Sequence, residues 1–246
     1  MPTFRHGRGT YVLIDQYNLT PYFREANKAS TVDTAETSAF GTFDKTFVVG
    51  MREGRITVSG MFDGTTAAVD EVLNTILGQE AAVNVTYAPE GLAEGRHVYL
   101  CQSEETSHET TATISDVVGV TAELQGTGGV HSGVSLHDFS TLETATGNTS
   151  TGVDNGASTA LGGRGILQVT TNTRDAGSIA VKIQDSPNNS TWSDLVTFTS
   201  TAFGVRDSQY GEVTGTVDQY LRALWTVTGG TTGSYEFAVS FARNNV

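Results

Sequence analysis

The sequence predicts a mainly β protein, built as two β-rich units with a single flanking helix. Three observations carry this. Apolar residues alternate with period 2 in many short segments, only one segment shows the 3.6-residue period of a helix, and 38 of the 246 residues are Thr. Thr is β-branched and stiff at χ1, so it suits a half-exposed pleated surface better than a helix. Charged residues make up 17% of the chain, below the usual ~25%, so Thr supplies much of the polar surface.

The helix is predicted over 66–77. Val69, Val72, Leu73, Ile76 and Leu77 form one apolar stripe, Thr65 or Thr66 can cap it, and Asp70 and Glu71 meet the positive end of its dipole. Gly78 ends it. Around it lie strands at Thr10–Asp15, Phe43–Val49 and Arg55–Phe62, the last with Ile56, Val58 and Phe62 on one side. The segment Gly50-Met51-Arg52-Glu53-Gly54 reads as a turn, giving a long hairpin from about 38 to 62. Further strands are predicted at Ala82–Ala88, Arg96–Gln102, Thr111–Val117 and Thr121–Gln125, with Pro89-Glu90-Gly91 and Gly126-Thr127-Gly128-Gly129 as turns.

Composition changes at 140–163, where sixteen of 24 residues are Gly, Ser, Thr or Asn. This reads as a linker between a first domain at 1–139 and a second at 164–246. Strands at Gly165–Thr171, Ser178–Asp185, Leu195–Thr199, Gly211–Val217, Tyr220–Thr228 and Tyr235–Phe241, with no helical period among them, predict a C-terminal β-sandwich. A linker of this kind implies few contacts across it, so the first domain is expected to assemble without the second. Residues 1–140 carry 8 Lys+Arg and 18 Asp+Glu (net −10), and residues 141–246 carry 6 and 9 (net −3), which sum to the −13 of the whole chain.

Composition also narrows function. A net charge of −13 argues against ordinary nucleic-acid binding, which needs a basic face. The longest apolar run near the N-terminus is Tyr11-Val12-Leu13-Ile14, too short for a membrane span or signal-peptide core, so no membrane partner is expected. A single cysteine, Cys101, excludes an intramolecular disulfide and a cysteine zinc cluster. His131 and His137 stand six residues apart, ~20 Å along a strand, too far to share a metal. No Gly-x-Ser-x-Gly elbow is present, and Gly162-Gly163-Arg164-Gly165 leads into a strand where a phosphate loop needs a helix. Glu104, Glu105, Glu109 and Asp116 read as a solvated edge. No catalytic residue, cofactor or metal is expected, and the chain reads as a non-enzyme.

The hairpin ending in Gly54-Arg55-Ile56-Thr57-Val58-Ser59-Gly60-Met61-Phe62-Asp63-Gly64, followed at once by the helix, resembles the major tail tube proteins of long-tailed, siphovirus-like bacteriophages. The segments Val83-Asn84-Val85-Thr86-Tyr87-Ala88-Pro89-Glu90-Gly91, Val98-Tyr99-Leu100 and Gly133-Val134-Ser135-Leu136 extend the resemblance over roughly residues 5–138. It implies a β-sandwich or half-barrel with one flanking helix, and subunits joined in stacked, hexameric rings around a lumen. The hairpin would reach across the ring-to-ring contact, which makes Phe43, Phe47, Met51, Arg52 and Arg55 its candidate assembly residues. The two glycines of its turn suggest a segment that orders only on assembly. The implied partners are other copies of the chain, a tape-measure protein, tail terminator and tip proteins, and double-stranded DNA passing through without specific binding. The implied location is the virion tail, assembled in the host cytoplasm. A C-terminal β-domain projecting outward is also similar to some family members.

A second reading is a glycan-binding or adhesive β-sandwich surface protein, with Trp192, Tyr220 and Tyr235 as stacking residues. Against it, Trp192 and Trp225 are each expected to pack in the sandwich core.

Overall fold

A computed structural model describes residues 5–40, 43–149 and 151–244. Over these residues the chain is mainly β, with two antiparallel sheets, one α-helix and no closed barrel. Its first half contains β1 (Tyr11–Ile14), β2 (Tyr17–Asn18), β3 (Phe23–Glu36), β4 (Phe47–Met61), α1 (Val69–Ile76), β5 (Val83–Ala88), β6 (His97–Thr111) and β7 (Gly119–Ser135). Two short pairs follow, β8 (Gly147–Asn148) and β9 (Val153–Asp154). The second half adds β10 (Gly163–Asn172), β11 (Ser178–Ser186), β12 (Ser193–Thr197), β13 (Thr201–Ala202), β14 (Asp207–Val213), β15 (Tyr220–Thr228) and β16 (Tyr235–Arg243).

The larger sheet runs β14-β10-β16-β7-β6-β5-β1-β2, with β4 paired to the first part of β7 and β3 paired to β4. The smaller runs β12-β11-β15-β8, with β13 on β11 and β9 on β15. In the second half β10, β14 and β16 face β11, β12 and β15 as a sandwich, closed over Leu167, Val181, Ile183, Leu221, Trp225 and Phe237. In the first half the stripe Val69, Val72, Leu73 and Ile76 of α1 seats against Ile56, Val58, Val85, Cys101, Ala122 and Leu124. Helix α1 begins later than expected. Asp63 Oδ1 accepts from the N–H and hydroxyl of Thr65, the Glu71 carboxylate accepts from the Ala67 N–H, and Ala67 sits at φ +61. This local turn consumes the polar groups that would otherwise start the helix at residue 66.

The expected hairpin is corrected by the pairing. Residues 47–61 form one strand, with no turn at 50–54, and its partner is the upstream strand Phe23–Glu36, from Phe23↔Gly60 to Glu36↔Phe47. The hairpin turns instead in the 37–46 region, and the segment is paired within the single chain. Gly50 lies opposite a register shift between Val32 and Thr34. Gly54 is small because a Cβ there would fall 2.6 Å from the Val130 backbone nitrogen. Both glycines serve strand geometry, not a turn. The expected strand at Thr111–Val117 is likewise a turn between β6 and β7, and Gly128 and Gly129, both at positive φ, form a bulge inside β7.

Segment 140–163 is held to the body instead of spanning a gap. Strands β8 and β9 pair with β15, Glu143 bridges Tyr235, and Thr159 bridges Val217. Strand β16 joins β7 through Phe241↔Val134 and Ser240↔Ser135, so one sheet crosses the expected boundary. A third core cluster mixes Leu13, Val98 and Leu100 with Ile166, Ala238 and Ala242. Few contacts were expected here, yet the two halves share a sheet and a core.

Candidate assembly surface

Strands β3, β4, β7 and the outer part of β6 form a four-stranded ribbon. Register places Ile56 beside Leu124, Val58 beside Ala122, and Glu105 beside Leu124 on one face. That face is the one α1 covers. The alternate positions are Glu25, Asn27, Arg55, Thr57, Ser59, Thr121, Glu123, Gln125, Glu104 and Glu109, which share the opposite face by the strand period of 2. They are exposed or half-exposed, and an Arg55–Glu123 ion pair at 3.6 Å spans β4 and β7. This face is polar and predominantly acidic.

Both long edges of the ribbon are available. Strand β3 has β4 as its sole strand partner among the described residues, with the Tyr87 hydroxyl donating to Ala26 O at 3.1 Å near its base. On the far side β6 outruns β5, whose last pair is Val83↔Ser103, so residues 106–111 pair with β7 alone. Unpaired N–H and C=O rows of this length are templates for another strand. At the distal end of the hairpin Phe40 and Phe43 are fully exposed, and Phe47, Val48, Val49 and Met51 are exposed beside them.

The residues singled out in the hairpin therefore fall in different places. Phe43, Phe47 and Met51 are exposed along the distal half of the hairpin, Arg55 lies on the polar face, and Arg52 lines a cleft where the hairpin parts from β7. The sequence reading missed β3, which supplies one open edge. Its 14 residues lack apolar alternation because both faces are largely exposed, and the absence of Gly and Pro between Arg24 and Glu36 was the available signal.

The residues of the glycan reading do not converge. Tyr235 is fully buried in the sandwich core, out of reach of a surface ligand. Trp225 packs there too, donating Nε1–H to Ala145 O at 3.0 Å. Trp192 is half-buried outside that core, with the Arg222 guanidinium 4.2 Å over its ring, and Tyr220 is half-exposed at the start of β15. The core position expected for Trp192 is thus corrected, because Arg222 and the close approach of Gly152 hold it at the surface.

Buried polar groups lie elsewhere. Cys101 is enclosed, and burial pushes its thiol up to about 12. Glu105, expected at a solvated edge, is buried beneath α1 because its register with Leu124 turns it to the core, and burial raises its carboxyl to about 8. His137 stacks on Phe237 at 4.2 Å and contacts Glu143 Oε1 at 3.1 Å; burial lowers its basicity while Glu143 opposes that shift. Among the described residues no three His, Cys, Asp or Glu groups converge as a metal site, and no helix is long and apolar enough to cross a membrane.

No family model and no curated protein matches the chain. Solved structures that resemble it include a chain from the virion of a native gene transfer agent particle, at 12% identity and TM-score 0.43, covering 52% of this chain and 97% of that one. Another is a chain from the tail of an empty gene transfer agent particle refined with C6 symmetry, at 13% identity and TM-score 0.40, with the same coverage. A third is the Dit protein of phage SPP1, described as a hub of the adsorption apparatus, at 16% identity and TM-score 0.37, covering 96% and 99%.

Proposed function

We propose that the protein is a non-enzymatic structural subunit of a phage tail. In this reading its copies join edge to edge into rings that stack as the tube through which double-stranded DNA is delivered. One observation carries this: the four-stranded ribbon has two different open edges, β3 and the outer part of β6. Pairing β3 of one copy with β6 of the next is a heterologous contact, and such contacts close into a ring when the rotation permits. Each copy then contributes four strands to a continuous barrel that has no edge left.

The six-fold ring comes from the family resemblance. Twenty-four strands at ~4.8 Å spacing give a backbone circle roughly 37 Å across before strand tilt widens it. That leaves a bore for a DNA duplex once inward side chains are allowed for. The face away from α1 would line the bore, and its carboxylates would repel phosphates so that DNA slides. A tape-measure protein during assembly, and terminator and tip proteins at the tube ends, are the partners this role requires.

Negative-stain microscopy of the concentrated protein tests the reading together with hydrogen exchange in dilute and assembled samples. Rings or tubes are expected, with amides of residues 23–36 and 106–111 gaining protection on assembly. Particles in which both edges exchange as freely as in the dilute chain would refute it.

A further inference from the structure

Strands β4 and β7 part company after the Arg55↔Gln125 pair, while β7 continues toward β16. The hairpin therefore stands away from the body and leaves a cleft of about 430 Å³, lined among others by Val32, Arg52, Val130, His131, Arg164 and Arg243. Arg52, Arg164 and Arg243 line the cleft against one carboxylate, Glu53, in a chain with 14 Lys+Arg against 27 Asp+Glu, although the Arg243 guanidinium is spent on the carbonyls of Ala157 and Asp218. Arg164 is held in place: its Nη1 lies 2.7 Å from His131 Nε2, its Nη2 donates to Asn244 Oδ1 at 2.8 Å, and Glu212 stands at 3.4 Å. Val32 and Val130 add an apolar wall.

The opposite end of the same ribbon carries the complementary chemistry. The turn 112–118 between β6 and β7 is exposed almost throughout, with Ile114 wholly exposed and Val117 more than half exposed. Asp116 lies in this turn and Glu109 shortly before it, and both are exposed. An isoleucine at the apex of a turn does nothing for its own chain's core, and an apolar apex beside carboxylates fits a cleft of apolar walls and arginines.

We propose that the turn 112–118 of one copy docks in the cleft where the β3–β4 hairpin of the next copy parts from β7. Ile114 then packs on Val32 and Val130, and Asp116 faces Arg52 and Arg164. Donor and acceptor lie at opposite ends of the ribbon, so the contact is head-to-tail and repeats along the strand direction. It adds a stacking contact to the ring-forming edges and rests on the tube reading above.

Cys101 is buried, so the full-length double variant Ile114→Cys/Val32→Cys adds two accessible thiols to a chain with none exposed. Under mild oxidation this variant should give a ladder of disulfide-linked multimers on a non-reducing gel, and neither single variant should. A second arm uses charge: Asp116→Lys and Arg52→Glu should each stack at least ten-fold less readily alone, and an equimolar mixture of the two should recover stacking. Tubes without a ladder, or covalent dimers from Ile114→Cys alone, would overturn the proposal and leave the ring reading standing. So would rings with protected edges that never stack. A chain that stays monomeric at all concentrations would overturn both.

Discussion

Glu105 shows how one residue's setting departs from its sequence context. Beside Glu104 and Glu109 it reads as part of a solvated acidic strand, yet its register with Leu124 turns it under α1. Neither carboxyl oxygen has a hydrogen-bond partner among the described residues, so nothing there compensates a buried charge. Burial raises the carboxyl from 4.5 to about 8. Between those values the folded chain holds a proton that the unfolded chain releases. Stability from this group is therefore complete below about pH 4.5 and is lost as pH rises through about 8. The melting temperature should fall across this window, and Glu105→Gln should flatten the fall and melt higher at pH 8–9. Equal slopes for the two proteins, measured by calorimetry from pH 5 to 9, would count against this assignment.

At the scale of elements, the sequence was readable wherever one face of a strand is buried and the other wet. Tyr220–Thr228 coincides with β15, and Ser178–Asp185 falls one residue short of β11, because each buries alternate residues in the sandwich. Strand β3 escaped because both of its faces are largely exposed, which leaves no period-2 signal. The open ribbon edges were invisible for the same reason: an edge is a property of pairing, not of composition. The exposed tip residues can be probed without touching the core. Phe43 and Phe47 are 104% and 56% exposed, so Phe43→Ser/Phe47→Ser should leave the melting temperature essentially unchanged. Burial of a Phe side chain is worth ~1.5–3 kcal/mol, so loss of both at a contact should raise the concentration needed for assembly by roughly a hundred- to ten-thousand-fold. Sedimentation across a concentration series measures this. A large drop in melting temperature would show that the tip already serves the monomer.

For the whole molecule, charge and continuity lead to separate expectations. Glu104 and Glu109 are exposed on the ribbon face away from α1, where lone surface carboxylates contribute little to folding. Glu104→Lys should therefore melt normally and still form tubes, while retaining DNA fragments through a salt wash that strips the wild type. Equal retention would remove the steering role from this face. Continuity was the least legible feature, since a Gly/Ser/Thr/Asn-rich stretch looks the same whether it spans a gap or lies along a sheet. Here it lies along one, and the halves it joins are interdependent. Ile166, Ala238 and Ala242 complete a cluster with Leu13, Val98 and Leu100. The Gln168 amide donates to the carbonyls of Asp15 at 2.8 Å and Asn84 at 3.1 Å, and Asn84 Nδ2 donates to Ser208 Oγ at 2.9 Å. Cutting after Thr146 removes β16 from the edge of β7, strips the partners of those buried polar groups, and bares the apolar face of Leu13 and Leu100. Each apolar side chain left bare to water forfeits about 1.5–3 kcal/mol, and several together approach the ~5–15 kcal/mol that holds an ordinary domain folded. Residues 1–146 alone should thus show no cooperative melting transition, and supplying residues 147–246 as a separate chain should restore one. A sharp, reversible transition from 1–146 by itself would mean that the shared sheet is dispensable and the first half an independent domain.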